Sequence, residues 1–162
     1  MEIVLRPIGY VRTCASDDEV RSAWPDGVEG YVEVLPEYSE GLAGLEGHSH
    51  VILIAYLHKR RGREGAPLRV RPRRLARLGL KLDELPEVGV FATDSPDRPN
   101  PIALSIVRLL GIEGNRLRVA DLDLFDGTPV LDIKPYDSSR VIRDFAVPEW
   151  KRELEELVGC PP

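Results

Sequence analysis

A proline-rich segment in the second half of the chain holds two polar side chains that suit ligand binding. It reads Ser-Pro-Asp-Arg-Pro-Asn-Pro-Ile from position 95 to 102. Its three prolines fix φ and push the residues before them into extended conformations. Because such a loop loses little conformational entropy when it orders around a ligand, Arg98 and Asn100 become donors with fixed directions. The alternative interpretation is a stiff connector between two strands.

Four carboxylates lie within twelve residues, at positions 121, 123, 126 and 132. Grouped carboxylates are typical of metal binding or acid–base catalysis. Their spacing does not match a calcium-binding loop and no histidine is close in sequence, so we expect no metal. Strand alternation would place Asp121 and Asp123 on one face. Asp126 falls in a turn, where aspartate commonly caps its own backbone.

The histidines and cysteines do not form an obvious reactive group. His50 and His58 would share one face of a strand, but a rise of about 3.3 Å per residue puts them about 26 Å apart. That distance excludes a shared zinc ion. His50 suits a structural role, and His58, beside a basic stretch, suits a ligand contact. Cys14 and Cys160 predict neither a disulfide framework nor an activated nucleophile, so no catalytic residue is identified.

The charge distribution is asymmetric. The formal net charge is −5, yet nine basic residues lie between Lys59 and Arg77, against one acid, Glu64. The remaining sequence holds 13 basic and 26 acidic residues. Such a patch can steer a polyanion, but the same residues could instead form ion-pair networks. The basic positions are Lys59, Arg60, Arg61, Arg63, Arg69, Arg71, Arg73, Arg74 and Arg77.

Length and composition favour one globular domain over residues 1–162. The hydrophobic fraction is 43% and the charged fraction is 30%. No apolar run approaches the roughly 20 residues that span a bilayer, and the N-terminus lacks the pattern of a signal peptide. We therefore expect a cytoplasmic protein that does not enter a membrane.

Fourteen prolines and fourteen glycines divide the chain into short segments, which favours strands and turns. We predict strands at residues 4–10, 30–35, 50–57, 88–92, 102–112, 116–124 and 130–133. The 50–57 strand is apolar and β-branched, as in a central strand buried on both faces. Glu113-Gly114-Asn115 predicts a hairpin. Residues 12–29 are predicted to form a loop.

Only the C-terminal segment is predicted to be clearly helical, at about residues 148–158. Pro148 suits a first helical position, and an apolar stripe follows it. The stripe consists of Trp150, Leu154, Leu157 and Val158. With no βαβ alternation and no Gly-x-Gly-x-x-Gly motif after a strand, the pattern favours a β-barrel over a doubly wound nucleotide-binding fold.

Four blocks of the sequence, taken in order, carry a family resemblance. They are Ile-Gly-Tyr-Val-Arg-Thr (8–13), Gly-Leu-Glu-Gly-His-Ser-His (44–50), Gly-Val-Phe-Ala-Thr-Asp-Ser-Pro-Asp-Arg-Pro-Asn-Pro-Ile-Ala-Leu-Ser (89–105) and Asp-Leu-Phe-Asp-Gly-Thr-Pro-Val-Leu-Asp-Ile-Lys-Pro-Tyr (123–136). These blocks resemble the successive blocks of TsaA-like proteins, and the resemblance extends from about residue 4 to residue 137. It implies a mainly β protein, built as a single TsaA-like β-barrel that forms a homodimer.

The resemblance also implies a cofactor, S-adenosylmethionine, bound near the subunit interface. Carried over by position, the cofactor contacts fall on Val20, Arg21, Ser22, His58, Lys59, Asp94, Leu104, Asp123, Leu124, Phe125 and Asp126. Characterised members transfer a methyl group to N6 of threonylcarbamoyladenosine beside the tRNA anticodon, so tRNA is the implied partner. The candidates for RNA contact are Arg71, Arg73, Arg74, Arg98 and Asn100.

The chain departs from the usual family sequence in three places. Asp94 replaces an arginine, Ala103 replaces a glycine, and Val-Arg-Ser at 20–22 replaces a more typical Pro-Arg-Gln. Asp94 would repel a ligand carboxylate that an arginine would bind, although it can accept from an amino or hydroxyl group. Two functions therefore stay open. One is methylation of adenosine N6 in tRNA, and the other is S-adenosylmethionine binding or methylation of a different, non-tRNA small molecule.

Overall fold

The computed structural model of the chain describes residues 1–59, 65–76 and 79–158. Contacts between Cα atoms divide the chain into two compact units. The barrel unit comprises Met1–Arg60 and Pro101–Arg140, and the second unit comprises Arg61–Asn100 and Val141–Pro162. The expectation of a single domain over residues 1–162 stays a prediction. None of the helices described is both long enough and apolar enough to cross a membrane.

Six of the eight strands in the described ranges form a closed antiparallel barrel. The strands are β1 (Gly9–Arg12), β2 (Val28–Val34), β3 (His50–Tyr56), β4 (Arg69–Val70), β5 (Val88–Gly89), β6 (Ile102–Glu113), β7 (Arg116–Leu122) and β8 (Pro129–Pro135). The order around the barrel is β1-β2-β7-β6-β3-β8, and β4 and β5 form a separate small sheet in the second unit. The predicted mainly β fold with one barrel is confirmed.

Alternation along the strands places small branched side chains inside the barrel. In β6, Ser105 and Val107 are buried, whereas Ile102, Leu104 and Ile106 are exposed on the outer face. The same period of two operates in the other strands, because successive side chains of a strand point to opposite faces. The resulting core is rich in valine and leucine. It includes Val11, Val32, Val34, Val51, Leu53, Val107, Leu117, Val119, Leu122 and Val130.

The predicted hairpin is confirmed, and β3 is a paired strand as predicted, but its predicted burial on both faces is wrong toward its end, where Tyr56 is 45% exposed on the outer face. β3 pairs with β6 on one side and with β8 on the other, and Val51, Leu53 and Ala55 are fully buried. β6 and β7 are joined at Gly114, which has a φ of 62°. That positive φ is the conformation that a tight hairpin turn requires and that glycine adopts without strain.

In the part of the chain that the structure describes, three α-helices accompany the strands. They are α1 (Asp17–Ser22) in the barrel unit and α2 (Arg73–Ala76) and α3 (Glu149–Val158) in the second unit. Short 3₁₀ helices cover Pro36–Leu42, Val90–Ala92 and Ser138–Arg140.

The predicted terminal helix is confirmed as α3. Pro148 directly precedes it, and its carbonyl accepts from the backbone N–H groups of Lys151 and Arg152. Leu154 is buried, but Leu157 is 72% exposed, so the predicted apolar stripe does not extend to that residue.

Three predicted elements differ most from the structure, and the other predicted strand boundaries differ by one or two residues. The first strand begins at Gly9 rather than at residue 4, because Pro7 has no N–H for a ladder. The strand predicted at 88–92 ends at Gly89 and continues as a 3₁₀ turn. The predicted loop at residues 12–29 contains α1. The pattern that signals this helix, a serine followed three residues later by glutamate, is present at Ser16 and Glu19.

One close backbone approach fixes the return of the chain from α1 into the barrel. Gly27 has a φ of 72°, and a Cβ built there would lie 2.4 Å from the carbonyl carbon of Asp121. Asp121 itself has a φ of 61°, the one positive φ among the described non-glycine residues. The residues that follow Gly27 and Asp121, Val28 and Leu122, are paired between β2 and β7. Only glycine allows this contact, because any side chain would overlap the backbone of Asp121.

We expect Gly27→Ala to destabilise the protein far more than Gly44→Ala does. Gly44 also has a positive φ, of 82°, but a Cβ there meets nothing within 4 Å. Gly44→Ala should therefore lose only about 1–2 kcal/mol of unfolding free energy, from backbone strain. Gly27→Ala adds the overlap with Asp121, about 1–3 kcal/mol more. Urea denaturation measures both, and equal losses for the two variants would contradict the close approach.

Candidate functional site

Helix α1 is short but well defined at its N-terminus. The Ser16 hydroxyl accepts from the backbone N–H of Glu19, and Oε2 of Glu19 accepts from the backbone N–H of Ser16 at 2.7 Å. These reciprocal bonds satisfy two N–H groups that the helix itself leaves unpaired. The bonds from Ser16 also lower the pKa of Glu19. The helix thereby holds its polar side chains in fixed positions over the barrel unit.

Three segments that are distant in sequence meet at an aromatic ring. The guanidinium carbon of Arg21, from α1, lies 4.7 Å from the centroid of Phe125, and Nζ of Lys59 lies 5.4 Å from the same centroid. Lys59 also forms an ion pair with Asp17, with 2.5 Å between Nζ and Oδ1. Cations over a ring face are attracted by its quadrupole. We call Asp17, Arg21, His58, Lys59, Phe125 and Asp126 the Phe125 cluster.

The loop that carries Phe125 is anchored to β1. Oδ1 of Asp126 accepts from the backbone N–H of Thr13 at 3.1 Å, and the N–H of Gly127 donates to the carbonyl of Val11 at 2.9 Å. Inside the loop, the N–H of Thr128 donates to the carbonyl of Phe125. The prediction that Asp126 caps its own backbone is therefore wrong, because its carboxylate accepts from the residue that follows β1 instead.

Asp121 and Asp123 do not share a face. Oδ1 of Asp123 accepts from the hydroxyl of Ser105 at 2.6 Å, and Ser105 is 5% exposed, inside the barrel. Oδ2 of Asp121 lies 3.5 Å from Nε of Arg108, an exposed residue. The predicted shared face is wrong because the positive φ of Asp121 interrupts the alternation of β7.

His58 lies directly before Lys59 and is half-buried. A Cβ built on Gly127 would lie 3.9 Å from Nε2 of His58, so the imidazole lies over the turn that follows Asp126. Burial lowers the pKa of His58, and the Lys59 ammonium acts in the same direction, while Asp17 and Asp126 oppose both. The ring is therefore mainly neutral at pH 7 and adds no positive charge to the cluster.

The other residues assigned to the cofactor from sequence differ in accessibility. Val20 and Leu124 are buried in the core, with 2% and 3% exposure, so their side chains pack rather than present themselves to a ligand. Ser22 is exposed at the end of α1. Leu104 is 65% exposed on the outer face of β6, opposite Ile54 of β3. Asp94 is an exposed residue of the second unit.

The residues predicted to contact RNA lie in the second unit. One guanidinium nitrogen of Arg98 donates to the carbonyls of Thr93 and Ser95, which braces the proline-rich loop, and Asn100 is exposed. Arg71 donates to the carbonyl of Leu85. Arg73 and Arg74 are exposed in α2.

Two described members of the basic stretch form ion pairs, Lys59 with Asp17 and Arg69 with Glu87. Nε of Arg69 lies 3.1 Å from Oε1 of Glu87. The remaining basic positions of the stretch lie outside the described residues, as does Cys160. They are Arg60, Arg61, Arg63 and Arg77.

The Phe125 cluster has the chemistry of a binding site rather than of a hydrolytic centre. Two cations and a ring face suit a ligand that combines a carboxylate with a flat heterocycle. Asp126 of the cluster, and Asp123 beside it on the same loop, supply acceptors for hydroxyl or amino groups. Within the described ranges, no group of three or more His, Cys, Asp or Glu side chains is placed to hold a metal ion.

Comparisons with known proteins identify a family and several similar proteins. The family described as tRNA-methyltransferase O N-terminal domain matches residues 20–140. A probable S-adenosyl-L-methionine-binding protein of Pyrococcus abyssi is 42% identical over 140 residues, covering 83% of this chain and 68% of that protein. Human tRNA (adenine(37)-N6)-methyltransferase is 35% identical over 143 residues, covering 83% of this chain and 30% of the human protein.

A solved structure shows the same fold. The crystal structure of TrmO from Pseudomonas aeruginosa superposes with a TM-score of 0.68 at 34% identity, and the match covers 90% of this chain and 62% of that one. This chain therefore spans less than two thirds of that structure. The family match covers most of the chain and agrees with the TsaA-like resemblance of its sequence blocks, so the chain belongs to the tRNA-methyltransferase O N-terminal domain family.

Proposed function

We propose that this protein is an S-adenosylmethionine-dependent methyltransferase that modifies N6 of adenosine 37 in tRNA, beside the anticodon. The observation that carries the proposal is the Phe125 cluster, in which three separate segments assigned to the cofactor by family resemblance lie together. The names of the human and Pyrococcus relatives support the reaction and the cofactor. Threonylcarbamoyladenosine is the form of the target base that the resemblance implies.

The side chains of the cluster, together with Asp123 on the same loop, fit the parts of this cofactor. Arg21 and Lys59 would exchange their ion pairs with Asp18 and Asp17 for the cofactor carboxylate, and the ring of Phe125 that they now cover would then pack against an apolar or aromatic part. Asp123 and Asp126 would accept hydrogen bonds from ribose hydroxyl or amino groups. The mainly neutral His58 would place no like charge beside the sulfonium. When bound, the cofactor supplies an electrophilic methyl group on a positively charged sulfur.

Methyl transfer requires the protein to position the reactants more than to take part in covalent chemistry. The N6 nucleophile and the methyl carbon must be held in line at near-attack distance, and orientation alone can lower a barrier by several kcal/mol. Anchored loops serve this purpose, and the hydrogen bonds from Thr13 to Asp126 and from Ser105 to Asp123 fix two carboxylates of the site. The proposal assigns no catalytic base.

Asp94 supports a second candidate function. In the family it replaces an arginine that would pair with a ligand carboxylate, and threonylcarbamoyladenosine carries such a carboxylate. An S-adenosylmethionine-binding protein, or a methyltransferase for a different small molecule, would need no such arginine. Asp94 is exposed, so it is accessible to a ligand of either class.

We further propose that the protein is a cytoplasmic homodimer. The outer face of β6 presents Ile102, Leu104 and Ile106, which are 40%, 65% and 46% exposed, and β3 adds the exposed Tyr56 opposite Ile102. A contiguous apolar stripe of this kind is typical of a protein–protein interface. The family resemblance implies a cofactor near the subunit interface, and Leu104 belongs both to this exposed stripe and to the cofactor contacts that the resemblance assigns.

Transfer of a labelled methyl group tests the function directly. With S-adenosylmethionine labelled in its methyl group, the protein should label bulk tRNA from cells that lack the modification, and nucleoside analysis should find the label on N6 of adenosine 37. Fully modified tRNA is the matched control and should stay at background. Tight cofactor binding with no label in unmodified tRNA would contradict the tRNA substrate and favour the small-molecule alternative.

Replacement of Arg21 should weaken cofactor binding selectively. Loss of a charge-assisted contact predicts about 10- to 100-fold weaker binding of S-adenosylmethionine to Arg21→Ala in titration calorimetry. Arg12→Ala is the matched control, because Arg12 also lies over an aromatic ring, 5.6 Å from the centroid of Tyr10, and pairs with Glu33. Equal effects of the two variants would argue against the Phe125 cluster as the cofactor site.

A further inference from the structure

Phe91 is the most exposed aromatic side chain of the chain. It is 76% exposed, although phenylalanine is ordinarily among the buried residue types. Neither the cofactor assignment nor the candidate RNA contacts include it. Its neighbour Val90 is fully buried, so the turn at residues 90–92 anchors one side chain in the interior and directs the next one outward.

The backbone around Phe91 is held on both sides. The N–H of Val90 donates to the carbonyl of Leu68 at 2.9 Å, and the carbonyl of Val90 accepts from both the N–H and the hydroxyl of Thr93. The carbonyl of Thr93 in turn accepts from Arg98 at 3.0 Å. An exposed ring on a braced turn loses little further backbone entropy when a ligand packs against it.

One basic residue, Arg69, lies in the small sheet that precedes Phe91, where it pairs with Glu87, and further arginines follow it. Phe91 follows β5 by two residues, and β5 pairs with β4 so that Gly89 lies opposite Arg69. Directly after β4 come Arg71, whose guanidinium is tied to the carbonyl of Leu85, and helix α2 with the exposed Arg73 and Arg74. The second unit therefore presents a flat apolar ring and a series of cations on connected segments.

We propose that Phe91 is a stacking platform for an unpaired nucleobase of the RNA substrate, with the neighbouring arginines contacting the phosphates. This inference rests on the proposed tRNA function and names a residue that would position the RNA. Unstacked loop bases commonly pack on aromatic side chains, and a basic surface beside the ring holds the backbone. The exposed guanidinium groups of Arg73 and Arg74 favour a polyanion with flat bases over an apolar protein partner.

The test measures binding of a fluorescently labelled RNA hairpin with the anticodon-loop sequence. Phe91→Ala should bind this hairpin about 5- to 100-fold more weakly than the wild-type protein. Phe91→Trp should restore binding, since stacking needs a ring face and not phenylalanine itself. Phe145→Ala is the matched control, because Phe145 belongs to the same unit and is 61% exposed. It should stay within about twofold of wild type.

Cofactor affinity and thermal denaturation of each variant accompany the RNA measurement. Both should be unchanged in Phe91→Ala, because the ring makes little contact with the rest of the fold. RNA binding by Phe91→Ala that equals wild type, or an equal loss in Phe145→Ala, would overturn the stacking role. A wild-type protein that binds the cofactor but not the hairpin would instead contradict the proposed tRNA function, and the stacking role with it.

Discussion

The backbone of Gly27 lies against the backbone of Asp121, and the geometry of the candidate site depends on that approach. Both residues have positive φ, and the strands β2 and β7 pair directly beyond them. The segment that returns from α1 and the segment that leads to Phe125 are therefore in close backbone contact at Gly27 and Asp121. Because a side chain at position 27 would overlap the backbone of Asp121, the relation between helix and loop is set by sterics rather than by adjustable surface contacts.

Contacts with the barrel interior also fix the loop that carries Phe125. Inward-facing Ser105 donates to Asp123. Leu124, which lies between Asp123 and Phe125 in the sequence, is buried in the core. Two consecutive residues of this loop are thus tied to the core, while the ring of Phe125 meets Arg21 and Lys59. A six-residue helix and a short loop would be poorly ordered alone. Anchored to a closed barrel, they can hold a ligand in a fixed orientation.

The regular parts of the fold could be predicted from sequence, because their signals are local. The β-branched run of β3 and the Glu-Gly-Asn turn after β6 suffice for a central strand and a hairpin. The exceptions arise from single residues. Pro7 shortens β1, Asp121 breaks the alternation of β7, and Ser16 with Glu19 starts a helix inside an apparent loop. The meeting of Arg21, Lys59 and Phe125 needs tertiary structure, so only family resemblance could group them beforehand.

The central claim, that the segments around Phe125 form the cofactor site, is tested most directly by amide NMR during titration with S-adenosylmethionine. The account predicts saturable shifts for Thr13, for residues 17–22 and 58–59, and for residues 123–127. The hairpin turn at Gly114, at the opposite end of β7, should stay unchanged and serves as the internal reference. Saturable shifts confined to other regions, with these segments silent, would contradict the account.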